Sequence, residues 1–96
     1  MPFVLKNRYT SEIYACEMLN NYQIHYYGIK SWQWKDEAEA ELAAFLDVQG
    51  VTETEEWELL EIEDHKLKIC NVKLKNDMQR KLYWDNEGKP EIRLRS

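Results

Sequence analysis

The chain has 96 residues, 44% of them apolar and 32% charged, with a net charge of −5. Three glycines and two prolines, set against 12% aromatic residues, exclude a disordered or low-complexity polymer. A chain this short implies one domain with a thin core, of the kind that removes about 60–65% of its unfolded surface from water.

No apolar run approaches the roughly 18–20 residues of a membrane span, and "PFVLKNRYT" after Met1 lacks the long apolar stretch of a secretory signal. The expected location is therefore cytoplasmic. Cys16 and Cys70 stand alone, without a CxxC or histidine spacing, which points to reduced, packed thiols and away from a disulfide framework or a zinc knuckle.

"FVLK" followed by "NRYTS" reads as a first strand and a turn. Two arrangements fit residues 11 to 29. In one, Asn20-Asn21 forms a type I′ turn that pairs Glu12–Leu19 with Tyr22–Ile29, placing Cys16 opposite His25 and Tyr14 opposite Tyr27. In the other, Ser11 caps a helix that runs to Leu19. "YQIHYYGIK" is extended in both.

The clearest helix spans 36 to 49. Asp36 is suited to the N-cap with Glu39 three residues on, while Ala38, Leu42, Phe45, Leu46 and Gln49 form one stripe, and Gly50 stands where a left-handed residue ends a helix. Its outer face is anionic.

Every ionic residue from Asp36 to Asp64 is acidic, whereas the chain from Lys66 onward is mainly basic. The economical account is a hairpin turning at Asp64-His65. It pairs Glu63 with Lys66, Glu61 with Lys68, Glu56 with Lys73, Ile62 with Leu67, Leu60 with Ile69 and Trp57 with Val72. In that register the two breaks in alternation, Leu59-Leu60 and Ile69-Cys70, lie opposite each other, and the charge asymmetry is quenched locally. A further hairpin follows, with Asp85-Asn86-Glu87-Gly88-Lys89 as a type I turn plus a left-handed glycine. It pairs Leu82 with Ile92 and Tyr83 with Glu91, and Pro90 marks a strand start or an edge.

The sequence thus predicts an α+β domain: an antiparallel sheet of hairpins, about five to seven strands, packed against one main amphipathic helix. Its two histidines lie in no metal-binding spacing, there is no glycine-rich phosphate loop, and Cys16 facing His25 lacks a third orienting group. A non-catalytic protein without metal or cofactor is expected.

Two binding surfaces remain. Asp36, Glu37, Glu41, Asp47, Glu53 and Glu55 lie outside the lysine pairing and form a field of one sign, suited to a basic protein surface for which it would compete with nucleic acid. The alternative is single-stranded nucleic-acid binding on the C-terminal sheet, where Lys73, Lys75, Arg80, Lys81, Arg93 and Arg95 accompany Tyr83 and Trp84. Trp32 and Trp34 share a face if the chain is extended there; they cover the end of the helix or, if exposed, mark a partner surface. Open strand edges suit a homodimer. The Tyr-, Lys-, Glu- and Asn-rich composition looks like that of many short proteins of AT-rich bacteria and their phages, which favours an accessory or inhibitory role.

Overall fold

The computed structural model describes residues 1–95. The strands are Phe3–Asn7 (β1), Glu12–Ile13 (β2), Ala15–Leu19 (β3), His25–Ile29 (β4), Ser31–Trp32 (β5), Trp57–Glu61 (β6), Arg80–Trp84 (β7) and Pro90–Leu94 (β8). The helices are Lys35–Val48 (α1) and Asp64–Leu74 (α2). The protein is α+β with antiparallel sheets, as its alternating patterns predict. Neither helix is long and apolar enough to cross a membrane.

β1 is central to a six-stranded sheet. It pairs along its whole length with β6, while its other edge meets β5 and then β2, from which β7 and β8 continue. Its residues "FVL" are apolar without alternation because both of its faces are buried. Val4 enters a cluster with Ile13, Ile62, Leu82 and the α2 residues Cys70 and Leu74. Leu5, on the opposite side of the strand, enters another with Trp32 and the α1 residues Ala38 and Leu46. The same geometry explains Leu59-Leu60, since Leu59 packs with the α1 cluster and Leu60 with the α2 cluster. The sheet lies between two helices, where the sequence suggested one helix on one sheet.

α1 follows its apolar spacing, with two adjustments at the start. Trp34, not Asp36, is the N-cap, and Asp36 lies inside the first turn, where its Oδ1 accepts the Glu37 N–H at 3.0 Å. Gly50 ends the helix with φ +77°, and Gln49 on the expected inner stripe is exposed, although Tyr14 Oη donates to its Oε1 at 3.2 Å.

The hairpin expected at Asp64-His65 does not form. Residues 64–74 are α2, β6 pairs with β1, and Glu61 lies opposite Phe3, not Lys68. The helix wins because Leu67, Cys70 and Leu74 recur at helical spacing and all pack into the cluster around Val4. Asn71 completes the same stripe: its Oδ1 accepts the Ile29 N–H at 2.9 Å, and Asn76 Oδ1 accepts the Tyr27 N–H at 2.6 Å. Both donors lie on the edge of β4 that faces away from β3, so two asparagines close an edge that would otherwise be open.

The β3–β4 hairpin forms, but in another register. Cys16 lies opposite Gly28 and Leu19 opposite His25. The Asn20 side chain organises a longer loop, its Oδ1 accepting the Tyr22 and Ile24 N–H groups at 2.8 and 3.1 Å, with Gln23 in the left-handed region at φ 61°. The β7–β8 hairpin has the expected register, Leu82 opposite Ile92 and Tyr83 opposite Glu91, and Gly88 takes φ +74° at its turn.

Candidate functional site

The facing of Cys16 and His25 that a type I′ turn at Asn20-Asn21 would give does not form. Cys16 is buried opposite Gly28, and His25 Nδ1 sits 3.2 Å from Glu17, both side chains exposed. Burial pushes the Cys16 thiol up, and it pushes Cys70 up to about 11, so neither is a ready nucleophile. His65 Nδ1 lies 3.1 Å from Glu63. Among the described residues no group of three or more His, Cys, Asp or Glu has metal-holding geometry.

The six acidic residues expected to face outward all do so. Asp36, Glu37, Glu41 and Asp47 are exposed on α1, and Glu53 and Glu55 are exposed on the connection to β6. Among the described residues none of the six forms an ion pair. On α1, residues four apart form rows along the surface. One row is Asp36, Ala40, Ala44 and Val48, all exposed. Glu37 and Glu41 belong to the row on one side, and Glu39 and Asp47 to the row on the other. A shallow 360 Å³ depression over this face is lined by Lys30, Ala40, Glu41, Ala44, Phe45 and Val48. Two lysines border the region and both are engaged: Lys35 pairs with Glu39 at 3.7 Å, and the Lys30 ammonium lies 4.8 Å from the Trp32 ring centroid.

The two tryptophans do not share a face, because the chain bends at Gln33 and Trp34 before entering α1. Trp32 is 3% exposed and meets Phe45 edge to face at 5.7 Å, whereas Trp34 is 67% exposed at the start of the acidic helix.

The residues of the nucleic-acid alternative divide: Lys81, Tyr83 and Arg95 line one 360 Å³ depression with Leu94, Arg93 lies over Tyr83, and the others lie elsewhere. Lys73 and Lys75 lie at the end of α2. Arg80 closes that helix end, with Nη1 3.4 Å from the Lys73 carbonyl oxygen and Nε 3.7 Å from the Asp77 carboxylate. Trp84 packs against the Val4 cluster. Lys81, Tyr83 and Arg93 occupy the other side of the sheet, where Lys81 meets Glu12 at 4.0 Å and Arg93 meets Glu91 at 3.7 Å and lies 4.3 Å from the Tyr83 ring centroid. Arg95 Nε donates to the Met78 carbonyl oxygen at 2.7 Å. Of the six basic residues, Arg80, Lys81 and Arg93 are engaged by carboxylates within the molecule.

A surface the sequence reading missed is the exterior of α2. Ile69 and Val72 are 43% and 72% exposed there, bordered by exposed Lys68, Lys73 and Lys75. From Lys66 to Asn76 there is no carboxylate. The signal was present: once Leu67, Cys70 and Leu74 are read at helical spacing, Lys68, Ile69, Val72 and Lys73 must point outward.

No protein-family model, curated protein or solved structure matches this chain. What its geometry defines is an α+β protein that carries an acidic helix on one side of a sheet and a basic helix on the other.

Proposed function

We propose that the protein is a small non-catalytic cytoplasmic binding protein, of an accessory or phage-encoded kind, that presents the acidic exterior of α1 to a basic protein surface. One observation carries this reading: Asp36, Glu37, Glu41, Asp47, Glu53 and Glu55 are all exposed and, among the described residues, unpaired, in a molecule whose other carboxylates include six paired with lysine or arginine. A single-signed field of this kind speeds encounter with a basic partner, and the Ala40–Ala44–Val48 row lets a partner backbone approach closely. Exposed Trp34 supplies an aromatic anchor at one end of the face.

The test is a pull-down from native cytoplasm with the wild-type protein and with a Glu37→Lys, Glu41→Lys, Asp47→Lys variant, at low and high salt. The wild type should retain a basic protein that the variant loses and that salt releases. Equal retention by both removes the reading. Salt-sensitive binding to short single-stranded DNA, lost on changing Lys81 and Arg93, would favour the nucleic-acid alternative instead.

A further inference from the structure

We propose that the acidic exterior of α1 docks onto the basic exterior of α2 from a second copy of this chain, so that molecules associate head to tail. The inference rests on the reading of α1 as a docking surface and names a partner for it.

The two exteriors match in pattern as well as in sign. On α1 the small apolar row Ala40–Ala44–Val48 runs between Glu37 and Glu41 on one flank and Glu39 and Asp47 on the other, with Val48 81% exposed. On α2 the aliphatic pair Ile69 and Val72 projects from a surface bordered by Lys68, Lys73 and Lys75. Among the described residues none of these three lysines forms an ion pair. The α1 row is the low-profile side and the α2 pair the projecting side, so the aliphatics have a shallow depression to enter, with the unpaired Glu37, Glu41 and Asp47 meeting the unpaired lysines around them while Glu39 is held by Lys35. The groups of contrary sign beside these faces are Lys30, which lines the depression, and Lys35 at α1, and at α2 Glu63 and Asp64 at its start and Asp77 just past Lys75, where Arg80 lies 3.7 Å from the Asp77 carboxylate.

The fold dictates the mode of assembly. α1 packs on the Leu5 side of β1 and α2 on the Val4 side, so one molecule cannot bring its own two exteriors together. Each copy offers both halves of a heterologous contact, which propagates as a ring or an open chain. Two crossing helices of these lengths, 14 and 11 residues, cover less than the roughly 800 Å² per partner of a standard interface, so association is weak and strongly salt-dependent.

Sedimentation velocity over a concentration series tests this, at about 0.01 M salt, where the Debye length is about 30 Å, and at about 1 M, where it is about 3 Å. Three proteins are compared: wild type, the Glu37→Lys, Glu41→Lys, Asp47→Lys variant, and a Lys68→Glu, Lys73→Glu, Lys75→Glu variant, each checked for fold by circular dichroism. Glutamine and asparagine replacements at the acidic positions, and glutamine at the lysines, stand in for any reversal that fails to fold. The wild type should associate at low salt and be monomeric at high salt. Each reversed variant alone should stay monomeric, and an equimolar mixture of the two should associate again, because each then carries what the other needs. A wild type that remains monomeric at low salt, or a mixture that fails to recover association, overturns the proposal. The pull-down separates the two ideas: if the lysine-reversed variant still captures a basic protein and the acid-reversed one does not, the docking role of α1 stands without self-association.

Discussion

Replacing Asn71 with Ala removes the acceptor that α2 offers to the edge of β4. Asn71 Oδ1 lies 2.9 Å from the Ile29 nitrogen, and Ile29 is 2% exposed, so water has little access to the freed N–H. A buried donor left unpaired costs about 1–3 kcal/mol, against which the better helix propensity of alanine returns about 0.6 kcal/mol, for a net loss of about 0.5–2.5 kcal/mol. In a domain of this size that lowers Tm by about 2–20 °C. Gly28 provides an independent check, because a Cβ there would sit 2.9 Å from Asn71 Oδ1 and 3.1 Å from Tyr26 Cε2. Gly28→Ala should therefore destabilise by dislodging the same acceptor, and in the double variant the combined loss should fall short of the sum by at least about 0.5 kcal/mol. Thermal melts followed by circular dichroism give the energies, and amide exchange at Ile29 gives the location. A Tm for Asn71→Ala within about 2 °C of wild type, with the Ile29 amide still protected, would refute the idea that this side chain closes the edge.

Two further outcomes concern the cores. Trp34→Ala, at a 67% exposed position, should change stability by less than about 0.5 kcal/mol, whereas Trp32→Ala, at 3% exposure between Leu5, Phe45 and α1, should cost about 3–5 kcal/mol in urea denaturation. The Cys70 thiol, raised by burial from 9.0 to about 11, ionises later in the folded than in the unfolded chain; stability should be flat with respect to this group below about pH 9 and fall by about 2–3 kcal/mol between pH 9 and 11, a fall that Cys70→Ala reduces and that pH-dependent urea titration measures.

The sequence was most legible where one physical requirement dominated. α1 shows a clean helical stripe, and the β7–β8 hairpin has a turn whose chemistry admits one register, so Tyr83 opposite Glu91 could be read directly. α2 was misread because two requirements overlapped. Ile69 and Val72 are β-branched residues that favour strands, yet they are exposed on a helix, and the inward stripe contains Asn71, a half-buried polar residue whose inward position makes sense only once the β4 edge is seen. The doubled Leu59-Leu60 looked like a break in alternation matched by Ile69-Cys70, whereas it marks a strand packed on both sides. In the first hairpin the Asn20 side chain substitutes for a backbone turn and shifts the register, an effect that no alternation pattern encodes. The exposed acidic residues were legible because nothing apolar in their spacing called them inward; the basic helix face was not, because Lys68 and Lys73 had been assigned to Glu61, which lies on β6, and Glu56, which precedes it.

The placement of charge also determines how salt acts on stability. A Glu–Lys ladder across a hairpin would be attractive, and salt would weaken it. In the observed fold the acidic and basic exteriors lie on opposite sides of a molecule measuring 36 × 29 × 28 Å, far beyond the Debye length of about 8 Å at physiological ionic strength. Their mutual attraction is thus already screened, and what salt chiefly alters is repulsion within each face, as between Glu37 and Glu41 four residues apart on α1, each such like-charge pair costing about 0.2–0.5 kcal/mol. Exposed pairs such as Arg8–Glu58 at 3.9 Å act in the other direction but contribute little at that exposure. Raising sodium chloride from about 0.01 to 0.2 M should therefore stabilise the monomer by about 0.5 kcal/mol, measured by urea denaturation at protein concentrations low enough to prevent association. A steady loss of stability over that range would mean that the anionic and cationic stretches attract each other at close range, and the separation of charge across the sheet would be wrong.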